Sequence, residues 1–212
     1  MRKNRLLYPA RVLIILLASL FSLFPFLIML KSSFEPYTSI VSLDFHLLPE
    51  NASLDNYVTV CQEYPILRWF CNSAVVAGVA IALNMVVDVF AAYTLARIEY
   101  PGKKATNMMV LCAQIVPVQV IVVPMYQMMV EWGWVDTYRG LILPVAISPF
   151  IIFFLKQSFM QIPRALDEAA MIDGCSRIGV LFRVILPNAV PALGTSVVLK
   201  YMWVWGDYMW TC

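Results

Sequence analysis

Five long apolar stretches recur along this chain, at about 12–30, 70–95, 106–130, 140–159 and 188–211, separated by shorter polar segments. Each is about the length a helix needs to cross a bilayer, roughly 20 residues. The segments between them differ in character. Residues 31–68 carry Glu35, Asp44, Glu50, Asp55, Glu63 and the only histidine, His46. Residues 97–104 form a short basic turn, and Glu131, Gly133, Asp136 and Arg139 fall in a short loop after the third stretch. The pattern predicts an all-α integral membrane protein with about five transmembrane helices. Its expected organisation is a tail over 1–11, a first span over 12–30, an external loop over 31–68 and a core over 69–212. Within the core, residues 160–187 form a charged loop.

Composition supports this. Hydrophobic residues make up 61% of the chain and charged residues only 13%, with a mean hydropathy of +0.77. A soluble domain is usually about 25% charged. The net charge is +2 with dispersed cations, so nucleic acid is not an expected partner. Lys31-Ser32-Ser33-Phe34-Glu35 follows the first stretch without a small-residue cleavage site, which predicts a retained span. Lys and Arg cluster in the N-terminal tail (Arg2, Lys3, Arg5, Arg11), the 97–104 turn (Arg97, Lys103, Lys104) and the 156–183 region (Lys156, Arg164, Arg177, Arg183). Five alternating spans put these clusters on one side, and the positive-inside rule makes that side, with the N-terminus, cytoplasmic. Prolines 25, 117, 124, 144 and 149 mark span interiors or ends, where freed backbone groups need new partners.

The charged loop is the most specific segment. From Ile162 to Pro187 it reads IPRALDEAAMIDGCSRIGVLFRVILP. Pro163 suits a first helical position, and Asp167 and Glu168 suit the first turns. Gly174 suits a left-handed C-terminal cap, and Pro187 is expected to stop the helix that follows. Arg164, Asp167, Glu168 and Asp173 are expected to stay in water, and Ala169–Ala170 offers a face for close approach by another protein.

Glu168-Ala169-Ala170, Gly174 and Val184-Ile185-Leu186-Pro187, at this spacing, resemble the EAA loop of permease subunits of binding-protein-dependent ABC importers. Val184 replaces the usual Ile. Asn56-Tyr57, Arg68-Trp69-Phe70-Cys71-Asn72-Ser73, Ala91-Ala92-Tyr93-Thr94-Leu95-Ala96-Arg97, Tyr100-Pro101-Gly102-Lys103 and Asp136-Thr137-Tyr138-Arg139-Gly140 are similar to the carbohydrate (maltose-type) branch. The resemblance implies a type I ABC importer permease fold in a bacterial plasma membrane. It implies a coupling helix in which Glu168, Ala169, Ala170, Asp173, Gly174, Leu186 and Pro187 serve docking to an ATPase. The implied partners are ATP-binding-cassette subunits, a second permease subunit and an extracytoplasmic solute-binding protein. Relatives carry a further span after the fifth, so the chain reads as lacking it, either as a fragment or as a truncated product. An importer of amino acids, phosphate or metals, or a non-transporting fragment, is the alternative.

Among the remaining residues, Asn84, Asp88, Gln114, Gln119 and Lys200 are polar positions inside apolar stretches. Each is a candidate for the translocation pathway, with helix-to-helix ties as the competing reading. Asp88 is expected deeper toward the cytoplasm than Lys200, so the two are not expected to pair. The aromatic end (Tyr201, Trp203, Trp205, Tyr208, Trp210) suits sugar stacking or an interfacial belt. His46 reads as a surface residue. The five cysteines show no metal-ligand spacing. A Cys61–Cys71 disulfide is one reading, and free, mostly buried thiols the favoured one. No metal, cofactor or catalytic constellation is expected. No P-loop occurs in the sequence, so energy is expected from a partner.

Overall fold

A computed structural model describes residues 4–36, 48–49 and 52–207. His46, Tyr208, Trp210 and Cys212 lie outside the described residues. The chain divides into two compact units, Met1–Trp69 and Phe70–Cys212.

In the first unit, α1 (Asn4–Ser33) extends the apolar run at both ends. Its side chains between Arg11 and Leu30 are almost all exposed, a surface that suits lipid rather than water. Residues 31–68 are not a simple loop. They contain α2 (Asp55–Glu63), fastened to the end of α1 by Asn56, which donates to the Ser33 carbonyl at 3.1 Å and the Glu35 carbonyl at 2.8 Å. The Tyr57 hydroxyl donates to Ser33 Oγ at 2.8 Å. These side-chain bonds, not apolar burial, hold α2, none of whose residues is buried.

The second unit is organised by α3 (Ile66–Arg97). Ala80, Asn84, Asp88, Ala92 and Ala96, spaced every four residues, form its buried stripe. The next stretch, read as one apolar span over 106–130, is broken. It consists of α4 (Lys103–Ile115) and α5 (Val118–Glu131), bent by 98°. Pro117 explains the break: it forces Val116 into extended backbone (φ −72°, ψ 116°) and supplies no N–H to continue the ladder. The fourth stretch joins α6 (Tyr138–Val145) to α7 (Pro149–Gln161) at 41°. Ser148 caps α7, its hydroxyl accepting from the Ile151 amide at 3.4 Å. After the loop helix α8 (Arg164–Ile172), α9 (Arg177–Asn188) meets α10 (Val190–Trp205) at 81°. Two unbroken helices and three bent pairs thus allow up to five spans by length and composition.

Pro187 does not stop α9. The chain passes through a π-turn, Leu181–Ile185, and Pro187 follows within the last turn, Leu186–Asn188. The wider turn suits a proline, which cannot donate to the carbonyl four residues back and crowds it. The bend comes two residues later, at Ala189 (φ −103°, ψ 9°).

The core gathers at the end of the unit where α8 lies. Ile151, Leu155 and Phe159 of α7 are fully buried against Ala92, Tyr93 and Ala96 of α3 and Val180, Leu181 and Ile185 of α9. The thiols differ from expectation. Cys61, Cys71 and Cys112 are free and exposed, and Cys175 is half-buried. For Cys71 and Cys112, on apolar helices, a small apolar thiol facing lipid needs no interior position.

The loop before α6 turns through two left-handed residues, Gly133 (φ +66°) and Asp136 (φ 56°). Gly140 then passes so close that a Cβ there would lie 2.3 Å from the Trp134 carbonyl oxygen. Gly140→Ala should therefore cost about 1–3 kcal/mol through overpacking. Gly78→Ala, with open space around it, should be neutral or mildly stabilising. Thermal unfolding of both variants in detergent checks the contrast.

Candidate functional site

The loop helix α8 is pinned on one face and bare on the other. Pro163 precedes it as the N-cap residue in extended backbone (ψ 131°), rather than as its first helical residue. At its far end, Gly174 adopts the left-handed conformation (φ +85°), and the Cys175 amide donates to the Ala170 carbonyl at 2.9 Å. The Ser176 hydroxyl then accepts from the Gly179 amide at 3.1 Å, starting α9 at once.

Asp167 is not in water. It is 8% exposed, with Oδ2 3.0 Å from Arg97 Nε at the end of α3. That contact is a charge pair without hydrogen-bond alignment, and Asp167 Oδ1 has no donor among the described residues. The same guanidinium donates from Nη2 to the Ile162 carbonyl at 2.7 Å, just before α8. One turn earlier on α3, the Tyr93 hydroxyl donates to the Arg177 carbonyl at 2.7 Å, just after α8. The end of α3 thus holds α8 from both sides. Burial pushes the Asp167 carboxyl up from its ordinary range, and the Arg97 and Arg164 charges pull it back.

The helical period separates the loop candidates. Ala170, one turn after Asp167, packs half-buried on the core, as does Leu186. Glu168, Ala169, Met171, Ile172 and Asp173 are exposed. Ala169 alone of the alanine pair presents an open face. Pro187 is exposed and serves the turn described above.

The five polar candidates within the apolar stretches separate too. Asn84 and Asp88 are fully buried. Asn84 Nδ2 donates to Asp88 Oδ2 at 2.8 Å and to the Ala146 carbonyl at 3.3 Å. The Ser148 amide donates to both Asp88 oxygens, at 3.2 and 3.3 Å. The pair thus satisfies backbone groups freed at the α6–α7 break, with a carboxylate at the N-terminus of α7, where the helix dipole favours it. Lys200 is buried and attracts Asp88 electrostatically, although no ion pair among the described residues joins them. Asp88 is occupied by Ser148 and Asn84, while Lys200 lines a cavity of about 690 Å³ with Ser148, Met125, Trp203 and Asp207. Gln114 is half-buried and donates to the Val110 carbonyl at 3.4 Å, while Gln119 is exposed. Neither lines that cavity. No metal-ligating group occurs among the described residues.

Arg97 and Tyr93 were not among the candidates read from sequence, though both sit in the Ala-Ala-Tyr-Thr-Leu-Ala-Arg segment. Their signal was there: a polar pair four residues apart at the end of an apolar run.

This all-helical architecture, with a capped loop helix between its last two spans, is that of an ABC importer permease. It matches the crystal structure of a bacterial transporter that imports the acidic polysaccharide alginate, with a TM-score of 0.85 at 21% identity over 99% of this chain and 74% of that one. Residues 89–211 match the family described as the binding-protein-dependent transport system inner membrane component, and the chain belongs to that family. It is similar to the arabinooligosaccharides transport system permease protein AraQ of Bacillus subtilis (strain 168), 31% identical over 95% of this chain and 73% of the relative. It is also similar to the diacetylchitobiose uptake system permease protein NgcG of Streptomyces coelicolor, 32% identical over 92% of this chain and 65% of that one. The chain is therefore a membrane-embedded transport subunit and not an enzyme, and its family implies a solute-binding protein and an ATPase as partners.

Removing Arg97 leaves Asp167 buried with its nearest counter-charge gone, so Arg97→Ala should lose about 3–5 kcal/mol. An acid with a raised folded-state pKa holds its proton more tightly when folded. Stability therefore falls as pH rises through that range and recovers on acidification. The deficit of Arg97→Ala should thus shrink on acidification toward the ordinary carboxylate range, and Arg97→Ala/Asp167→Asn should abolish that slope. Thermal unfolding across pH checks this; a pH-independent deficit would show that the charge pair is not its source.

Proposed function

We propose that this permease moves a carbohydrate across a bacterial plasma membrane by alternating access, driven by ATP hydrolysis in a separate subunit. The relatives' transport of arabinooligosaccharides and diacetylchitobiose supports the cargo class. In this reading the N-terminus and α8 face the cytoplasm, in line with the distribution of Lys and Arg. A second, non-identical permease subunit completes the path, and a solute-binding protein delivers sugar on the opposite side.

The observation that carries the proposal is the two-sided nature of α8. Asp167 and Ala170 fasten it inward, while Glu168, Ala169, Met171 and Ile172 stand outward for the ATPase. Glu168 supplies charge, and Ala169 allows close approach. Displacement of α8 passes through Arg97 into α3 and through Gly174–Ser176 into α9, tilting spans as rigid bodies. Lys200 and Trp203 border the space through which cargo passes.

An Ala169→Cys variant, assembled with its partners, should form a disulfide or bismaleimide crosslink to the ATPase subunit, and Ala170→Cys should crosslink far less. Glu168→Ala should reduce uptake of labelled oligosaccharide by about tenfold or more while leaving this chain's thermal unfolding unchanged, since one charge-assisted contact is worth about 1.5–3 kcal/mol. Equal crosslinking at both alanines, or uptake insensitive to Glu168, would contradict the docking role.

A further inference from the structure

A second cavity, of about 570 Å³, opens where α3 and α7 end and α4 begins, beside α8. Four cations line it (Lys103, Lys104, Lys156 and Arg164) against one carboxylate, Glu99. Glu99 is already engaged, 2.9 Å from Lys103 and 3.9 Å from Arg164. Lys104 has no ion pair or hydrogen bond among the described residues. Lys156 is half-buried and, among the described residues, bonded only to the neutral Asn107, and the charge of Lys103 repels it. Like charges held together in a partly closed space, with a neutral amide as one cation's partner among the described residues, leave a place for an anion.

The depth of the site selects the kind of anion. Lys156 lies five residues before the end of α7, about 7 Å inward along the helix. A cation below the end of an apolar helix is costly unless it reaches polar headgroups or gains a counter-charge there. The cavity wall beside it is apolar, formed by Leu95, Ala96 and Met160. Phosphate at the mouth with hydrocarbon alongside is the chemistry of a phospholipid at the interface. Basic pockets between spans on the cytoplasmic side bind such headgroups.

We propose that this cavity binds the phosphate headgroup of an anionic phospholipid, with Lys104 and Lys156 as its principal contacts. The lipid would stand beside α8 and brace the α3–α4 turn against α7. Its assignment to the cytoplasmic leaflet rests on the orientation proposed above; the contacts themselves do not.

The test uses the complete transporter, with its partner subunits, in nanodiscs of equal parts phosphatidylcholine and phosphatidylglycerol. Lipid retained by the complex is counted by native mass spectrometry, and ATPase co-purification and sugar uptake are measured on the same preparations. The wild type should retain phosphatidylglycerol over phosphatidylcholine. Lys104→Gln/Lys156→Gln should lose that preference by about tenfold or more, with the ATPase still bound. Lys104→Arg/Lys156→Arg should keep it. No preference in the wild type, or unchanged retention in the glutamine variant, would overturn the proposal. Displacement of the lipid by inorganic phosphate, beyond what sodium chloride of equal ionic strength causes, would reassign the cavity to a soluble anion and also overturn it. Loss of ATPase binding with lipid retention intact would assign the lysines to that partner instead. Failure of the transport reading would appear separately, as absent uptake with lipid retention preserved.

Discussion

The pairing of Arg97 with Asp167 joins two segments that the chain places far apart, the end of the second span and the loop between the last two. A charge pair this deeply buried is a weak source of net stability, because desolvation offsets most of the attraction. Its value is geometric. It fixes which face of α8 turns inward, and the helical period then decides the rest: Ala170 packs, while Glu168 and Ala169 point away. With Arg97 also holding the Ile162 carbonyl and Tyr93 the Arg177 carbonyl, both approaches to the loop helix are tied to one rod.

The same rod carries the joint inside the membrane. Asp88 lies nine residues before Arg97, about 13 Å along α3. There it and Asn84 take up backbone groups freed where α6 gives way to α7. In lipid such groups have no water to turn to, so a broken span survives only where a neighbour satisfies it. α3 therefore connects two places where movement would be felt, the break in the fourth span and the loop outside it. Lys200 faces a cavity, and no ion pair among the described residues joins it to Asp88.

The sequence made the architecture legible because hydropathy reports burial in lipid directly. Five apolar stretches correspond to two continuous helices and three bent pairs. The bends were legible only in part. Pro117 marked its break, yet nothing local distinguishes a kink from a 98° turn, since that angle is set by what the two halves pack against. Pro187 was misleading for the opposite reason, because a π-turn absorbs it. At the loop, spacing singled out Glu168, Ala169, Ala170, Asp173, Gly174, Leu186 and Pro187 as candidates, and of these expectations the structure shows the left-handed cap at Gly174. What sequence could not show was the inward turn of Asp167. A carboxylate beside a glutamate reads as solvated until its distant arginine is in place. Asp88 illustrates the same limit: a buried acid signals a constraint, and only the geometry shows that the constraint is a helix break.

The account's central claim is that α8 and the adjoining end of α3 move as one body. Spin labels at Thr94 and Ile172 in the assembled transporter, read by pulsed electron–electron distance measurement with and without ATP, test it most directly. The account predicts an unchanged 94–172 distance, while the distance from Ile172 to a label at Val123 shifts on nucleotide binding. A 94–172 distance that changes with ATP would contradict it.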